Sequence, residues 1–432
     1  MLSNDYLTNI EIEIKKLEQI AIKVNISPKK VKYWKNLIKI NQNNLKADMY
    51  LHLFEKEIRK AIISKSINYS KFWDYRSTAS ITYEANMKEE ANYARSLPPK
   101  KIESFFSKNK KRLNEKNCIA FNSGMAAINA VLIIVQKLTK SSLGVYTEYF
   151  ETTALLKEIM TDIHIYSNKK QLLEDMSFNN FFFLENPISS PNKENVLLED
   201  IYDVISKRIN DKKIFILVVD STLELNDNDY LFEFLKLSNK ILIFKIRSAL
   251  KLDQLGLELL NLGIVEVYSN LKFKDRNFIV EMLKNYRTVS GGSIDYNSYL
   301  RLVDTPFTLK DIKEYKIKIL ENTMKLYKRL LLVNSKSFSI EYKKGLPYIF
   351  LKPKSKDFRL KDWINDSLRK IRRKKGYLPY GTSFGFRHSR LEIIDNNKEL
   401  PFIRFSPGEY IGKSNDILIE MMEDSNATNY TK

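Results

Sequence analysis

The chain has 432 residues, a net charge of +20, 44% hydrophobic residues and 12% aromatic ones. That is enough apolar material for more than one folded domain, and no apolar run approaches the roughly 20 residues needed to cross a bilayer. A single cysteine, Cys118, excludes an intrachain disulfide, and with only three histidines (His52, His164 and His388) beside it a Cys/His metal site is not expected.

The opening residues, MLSNDYLTNIEIEIKKLEQ, lack the basic-then-apolar pattern of a secretion signal, so the expected location is the cytoplasm. IEIEIKKLEQIAIKV and DMYLHLFEKEIRKAI carry apolar residues three and four apart, which predicts helices. Pro28 after Ser27 marks a helix start. Residues 1–90 are therefore read as a helical N-terminal extension or arm.

The pattern changes from about residue 117 to 270. Short β-branched or aromatic runs (NCIAF, LGVYTEY, IHIYS, NFFFLE, KIFILVVD, KILIFKI, IVEVYS) alternate with helix-length segments such as 124–138 and 152–161. Runs that are apolar on both faces suit buried central strands, and the alternation predicts an α/β domain with a mostly parallel sheet flanked by helices, over residues 91–300. TPFTLKDIKEYKIKILENTMKLYKRLLLV then reads as one long amphipathic helix with Thr308 near its cap. The strand-like FSIEYKK, YIFLKP and FIRFSP, with a helix at 360–373, complete a smaller α+β domain over 301–432.

The positive charge invites a nucleic-acid reading. Its densest clusters are KNKKR (108–112) and RKIRRKK (369–375), but lysines are dispersed along the whole chain and no aromatic-interleaved RNA-binding motif accompanies them. The clusters read as solvated faces, and a nucleic-acid partner is not expected.

In an open parallel sheet, functional groups gather beyond the carboxyl ends of the strands. After CIAF come Asn122, Ser123, Gly124 and Met125. That turn suits either an anion cradle at a helix N-terminus or a plain tight turn. Glu185 follows NFFFL, and Asp220, Ser221 and Thr222 follow KIFILVV. A carboxylate there caps the next helix or meets a cationic ligand nitrogen. Ser248, Ala249, Leu250 and Lys251 follow KILIFKI. Lys251 is either surface decoration or an amine made reactive by desolvation. A phosphate cradle, then an aspartate, then a lysine is the order that pyridoxal phosphate (PLP) requires.

From about Tyr93 to Glu409 the chain resembles the fold-type I PLP enzymes of cysteine and methionine metabolism, the cystathionine γ-synthase/γ-lyase group. YARSLPPKKIESF resembles that family's Tyr-x-Arg-x-x-Asn-Pro-Thr stretch, and FNSGMAA its Ser-Gly-Met-Ala. YFETT resembles the Tyr-Gly-Gly-Thr segment, GTSFGFRHSRLEI the Ser-Leu-Gly stretch, and IRFSPGE the late Arg-Leu-Ser-x-Gly. The resemblance implies the aspartate-aminotransferase-like fold and PLP as cofactor. It assigns Ser123, Gly124, Met125 and Ser248 to the cofactor phosphate, with Tyr93 and Arg95 reaching the phosphate of a neighbouring subunit. Tyr149 would stack on the pyridine, Asp220 would hold the pyridine nitrogen, and Lys251 would be the Schiff-base lysine. Arg404, with Ser383, would bind the carboxylate of an amino-acid substrate. Shared sites imply a homodimer or homotetramer. Arg387 and His388 either line the same pocket or are solvated loop residues.

The departures are specific. Leu250 stands where the family has a threonine, ENPISSP replaces the family's Thr-Pro-Ser-Asn-Pro, and Phe150 and Glu151 replace the glycines after Tyr149. The expected activity is γ-elimination or γ-replacement on an amino acid in specialised metabolism, with Lys251, Tyr149 and Asp220 catalytic. The alternatives are a β-lyase of the same family, or an inactive relative serving as an interaction module.

Overall fold

The computed structural model describes residues 2–69, 99–107, 116–208, 213–225, 230–238, 240–303, 307–333, 335–395, 400–424 and 430. In chain order its elements begin with helices α1 (Leu2–Lys23), α2 (Pro28–Ile40), α3 (Lys46–Tyr69) and α4 (Lys100–Ser107). An alternating stretch follows: β1 (Lys116–Phe121), α5 (Gly124–Leu138), β2 (Leu143–Tyr146), α6 (Phe150–Ile159), β3 (Ile163–Ile165), α7 (Lys169–Asp175), β4 (Phe181–Glu185), α8 (Leu198–Ser206), β5 (Phe215–Asp220), α9 (Leu231–Leu237), β6 (Ile241–Ser248) and β7 (Gly263–Ser269). Then come α10 (Phe273–Val289), α11 (Tyr296–Val303), α12 (Leu309–Leu331), β8 (Phe338–Glu341), β9 (Ile349–Pro353), α13 (Leu360–Arg373), β10 (Arg390–Ile394), β11 (Phe402–Ser406) and α14 (Ser414–Asp424). None of these helices is long and apolar enough to cross a membrane.

The chain divides into two compact units. The first comprises Ser66–Leu250 and Leu259–Asp304 and holds a seven-stranded sheet in the order β1-β7-β6-β5-β4-β2-β3. The pairs β6·β5, β5·β4, β4·β2 and β2·β3 are parallel, while β7 runs antiparallel to both β1 and β6. The mostly parallel sheet expected from the alternation is present. Its central strands are buried along their whole length, as in FFFLE of β4 and FILVVD of β5, because helices cover both faces. One face packs Ile128, Val131, Leu132 and Val135 of α5 against Phe183, Val218 and Phe244. The other packs Ile201 and Ile205 of α8, and Phe234 of α9, against Phe182, Leu217 and Ile243.

The second unit comprises Met1–Lys65, Lys251–Glu258 and Thr305–Lys432, with a four-stranded antiparallel sheet in the order β10-β11-β9-β8. Its core sets Trp363, Ile364 and Leu368 of α13 and Leu326 and Leu330 of α12 against Ile349, Leu351, Ile403 and Phe405. Thr308 caps α12 in a reciprocal box with Asp311.

The sequence divides the chain at residues 90 and 300; the compact units divide it differently. The N-terminal helices share a unit with the C-terminal sheet, because buried polar contacts bind them to it. Arg387 donates to Glu13 of α1 through Nε (3.0 Å) and Nη2 (2.5 Å), and Asp48 of α3 accepts hydrogen bonds from Tyr410 Oη (2.9 Å) and Ser414 N (2.8 Å). The short segment after β6 joins the same unit. There Lys316 pairs with Asp253 at 3.0 Å, and Arg387 Nη1 donates to the Leu255 carbonyl at 3.2 Å.

Candidate active site

In the unit with the seven-stranded sheet, register brings the predicted residues to one sheet edge. Asp220 pairs with Glu185 on one side and Ile246 on the other, while Ser248 and Phe121 both lie opposite Gly263 of β7. The carboxyl ends of β1, β6, β5 and β4 therefore share that edge.

Ser123 is the N-cap of α5. Its backbone is extended and its hydroxyl accepts from Ala126 N at 3.1 Å, and the amides of Gly124 and Met125 belong to the first turn, where helices have no internal acceptor. Gly124 is required by close approach: a Cβ there would lie 3.1 Å from the Ser248 Cβ. Gly263 is required even more strictly, because a side chain on it would collide with the Ser123 carbonyl. The turn, the helix N-terminus and Ser248 thus lie against one another at the positive end of the α5 dipole, an arrangement suited to a phosphate. Thr222 joins it, its Oγ1 accepting from Ser248 N at 2.9 Å. The sequence reading gave Thr222 no role. Thr222 nonetheless places a hydroxyl beside Ser248.

Asp220 is buried at the end of β5, where Oδ1 accepts from Thr222 N at 3.0 Å. Burial pushes its carboxyl up to about 6, the Thr222 hydrogen bonds oppose this, and the charge of Glu185 adds to it. Glu185, itself buried, organises the adjacent loops. Its Oε2 accepts from Thr147 Oγ1 (2.8 Å), Glu148 N (2.8 Å) and Tyr149 N (3.1 Å), and its Oε1 from Ser189 N (2.8 Å). This hub holds the backbone of Tyr149 just beyond β2. Tyr149 is 37% exposed, and its hydroxyl donates to Glu151 at 2.8 Å.

In the other unit, Lys251 opens the segment that follows β6. Burial holds its amine down to about 8, Glu258 opposes the shift, and the cations Arg404 and Arg390 contribute to it. Its Nζ lies 5.6 Å from the centre of the Phe384 ring. Arg404 of β11 also borders that ring, at 5.7 Å, and the Tyr348 ring at 5.1 Å. Arg404 Nη2 donates to Glu392, its cross-strand partner on β10, while its buried Nε has no hydrogen-bond partner among the described residues. Ser383, with a left-handed backbone (φ 86°), donates its amide to the same Glu392 at 3.1 Å. Glu392 thus links two predicted substrate-binding residues. It was missed because β10 was not recognised as a strand; once β10 and β11 form a hairpin, the register sets Glu392 opposite Arg404.

Lys251, Ser383 and Arg404 therefore gather in one unit, and Ser123, Gly124, Met125, Asp220 and Ser248 in the other, joined along the chain by the two residues between Ser248 and Lys251. Tyr93 and Arg95 lie outside the described residues. Arg387 is neither a solvated loop residue nor an open ligand-binding group: it is buried, paired with Glu13 and, at 2.7 Å, with Glu409.

No protein-family model and no curated protein matches the chain. Solved structures do. The chain is similar to cystathionine gamma-lyase from yeast, with 18% identity and a TM-score of 0.57 over 80% of this chain and 90% of that one. It is similar to a methionine gamma lyase from Micromonospora echinospora, with 14% identity and a TM-score of 0.53 over 76% and 87%. It is similar to metB from Corynebacterium glutamicum, with 16% identity and a TM-score of 0.53 over 84% and 97%. The chain has the fold-type I architecture. At these identities the shared property is the fold, and the chemistry has to be argued from the residues.

Proposed function

We propose that the chain is a PLP-dependent enzyme acting on an amino acid by γ-elimination or γ-replacement, as a homodimer or homotetramer. The observation that carries the reading is Asp220: a buried carboxylate at a strand end, beside a second carboxylate, is costly unless a cation meets it. A protonated pyridine nitrogen is such a cation. The Ser123–Met125 turn with Ser248 and Thr222 suits the phosphate, since it offers helix N-terminal amides with no internal acceptor beside three hydroxyl-bearing side chains.

When bound, the cofactor supplies an electron sink for charge developing at the substrate Cα. The chain's residues do the rest. Lys251 would hold the cofactor through its amine, and that amine would serve as the base for the substrate Cα proton. A base needs a neutral amine, and an amine held down to about 8 is partly neutral near physiological pH. Asp220 would hold the pyridine nitrogen and favour its protonated form. Arg404, oriented by Glu392, presents its Nε side to the substrate carboxylate. The Tyr149 phenol delivers a proton to the leaving group after exchanging its bond to Glu151.

The test is spectral. Purified protein mixed with PLP is expected to gain a visible absorbance band that borohydride fixes to the chain and that Lys251→Ala abolishes. Homoserine esters, cystathionine and cysteine are then compared for release of keto acid. Release only from substrates carrying a β-leaving group would select the β-lyase alternative. A protein that stays colourless with excess PLP would overturn the enzyme reading in favour of an interaction module.

A further inference from the structure

Two of the three histidines stand together, and neither has a role in the chemistry proposed above. His52 and Glu55 lie three residues apart on α3, so both side chains leave one face of the helix. His388 comes from the segment just before β10. Its Nε2 lies 3.1 Å from Glu55 Oε2, and one ligand atom from each of the three side chains lies within 4.8 Å of the others. Glu55 Oε2 is buried, yet despite that proximity it has no aligned hydrogen-bond donor among the described residues.

The surroundings hold these side chains in place. The His52 ring stacks on Tyr377, with centroids 3.9 Å apart and planes 13° apart, and meets His388 edge-on at 5.5 Å. Tyr410 meets the His388 ring edge-on at 6.1 Å. Gly408, beyond β11, lets the chain pass directly over the backbone of Arg387 and His388, where any side chain would collide. Two packed imidazoles and a buried carboxylate oxygen, 3.1 Å from one of them, are therefore brought together from opposite ends of the sequence.

We infer that His52, Glu55 and His388 form a zinc site with a fourth position open to water or an anion. Two imidazole nitrogens and one carboxylate oxygen suit zinc, whereas calcium and magnesium favour all-oxygen shells. Zinc bonds of about 2.0–2.1 Å at tetrahedral angles place ligand atoms about 3.3 Å apart. Glu55 and His388 are already close to that spacing at 3.1 Å, and a His52 nitrogen lies within 4.8 Å of both. The ion would fasten α3 to the His388 segment within the same unit, a structural role that does not rest on the PLP reading. The competing account is a plain His388–Glu55 ion pair with a stacked His52.

The test uses the full chain, stripped with chelator and dialysed against Zn²⁺, with Co²⁺ as a spectroscopic probe. About one zinc per chain is expected, with tetrahedral Co²⁺ bands and a higher thermal midpoint in zinc. His52→Asn and Glu55→Gln should each weaken binding by more than about tenfold, since even the outer partners of metal ligands cost about 10- to 100-fold. His164→Asn should leave it unchanged. His52 is outside the ion pair, so His52→Asn keeps the test valid if Glu55→Gln fails to fold. Well under one zinc per chain, absent Co²⁺ bands, or unaltered zinc binding by His52→Asn would overturn the site and leave the ion pair as the explanation.

Discussion

Asp220 at the end of β5 stands directly opposite Glu185 at the end of β4 in the parallel ladder, two buried carboxylates on neighbouring strands. Glu185 is satisfied by four donors from the loops around it, whereas Asp220 is held mainly by Thr222. Asp220 therefore carries the penalty. With its folded pKa raised to about 6, above the ordinary carboxylate value, the native state holds the proton more tightly than the unfolded chain. Stability of the cofactor-free protein should fall as pH rises from about 4 to 6 and then level off. Asp220→Asn should remove that slope and stabilise the cofactor-free protein at pH 7 by about 1–2 kcal/mol, while weakening PLP binding. Urea unfolding across pH, together with PLP titration, checks both; a variant that is less stable at pH 7 and binds PLP as well as the parent would contradict it.

Lys251 gives the opposite sign. Its folded pKa of about 8 lies below the unfolded value, so its burial costs stability below pH 8 and this cost is relieved as pH rises toward about 10.4. The neutral amine is the reactive form, so the rate of PLP capture should rise with pH with a midpoint near 8. Stopped-flow absorbance measures this. A flat rate between pH 6.5 and 9 would show that the neutral amine is not limiting.

Arg404 offers a planar fork between two aromatic rings, with Glu392 on one arm. Arg404→Lys keeps the charge and loses the fork, so KM for an amino-acid substrate should rise by about 10- to 100-fold with a smaller change in kcat. Steady-state kinetics separates the two constants, and an unchanged KM would place the carboxylate elsewhere.

Gly124 admits one backbone and no more. The added methyl of Gly124→Ala would press on the Ser248 Cβ at 3.1 Å, beside the α5 N-terminus. PLP affinity should drop by at least about tenfold, while stability stays within about 1 kcal/mol because alanine is a better helix residue than glycine. Paired titration and thermal unfolding test this, and undiminished affinity would move the phosphate away from the α5 N-terminus.

The placement of much of the candidate site was legible because its signals are local. Apolar runs marked the strands, the residue after each run marked a strand end, and Ser123, Gly124, Asp220 and Ser248 follow from that rule. Thr308 as the cap of α12 and Pro28 at the start of α2 were equally readable, since a cap is decided by a few neighbouring residues. Glu392 was not, because its role comes from pairing with a residue twelve positions on, across a hairpin.

The sequence by itself determined the alternation of strands and helices over about 117–270, the α/β class and the residues at those strand ends, since these depend on periodicity and near neighbours. Only the tertiary structure decided that β7 runs against its neighbours, that Arg387 is consumed by Glu13 and Glu409, and that His52 meets His388. The partners in those last two relationships come largely from opposite ends of the chain. What brings them together is the burial of a shared core and the pairing of charges within it, and no local pattern encodes that.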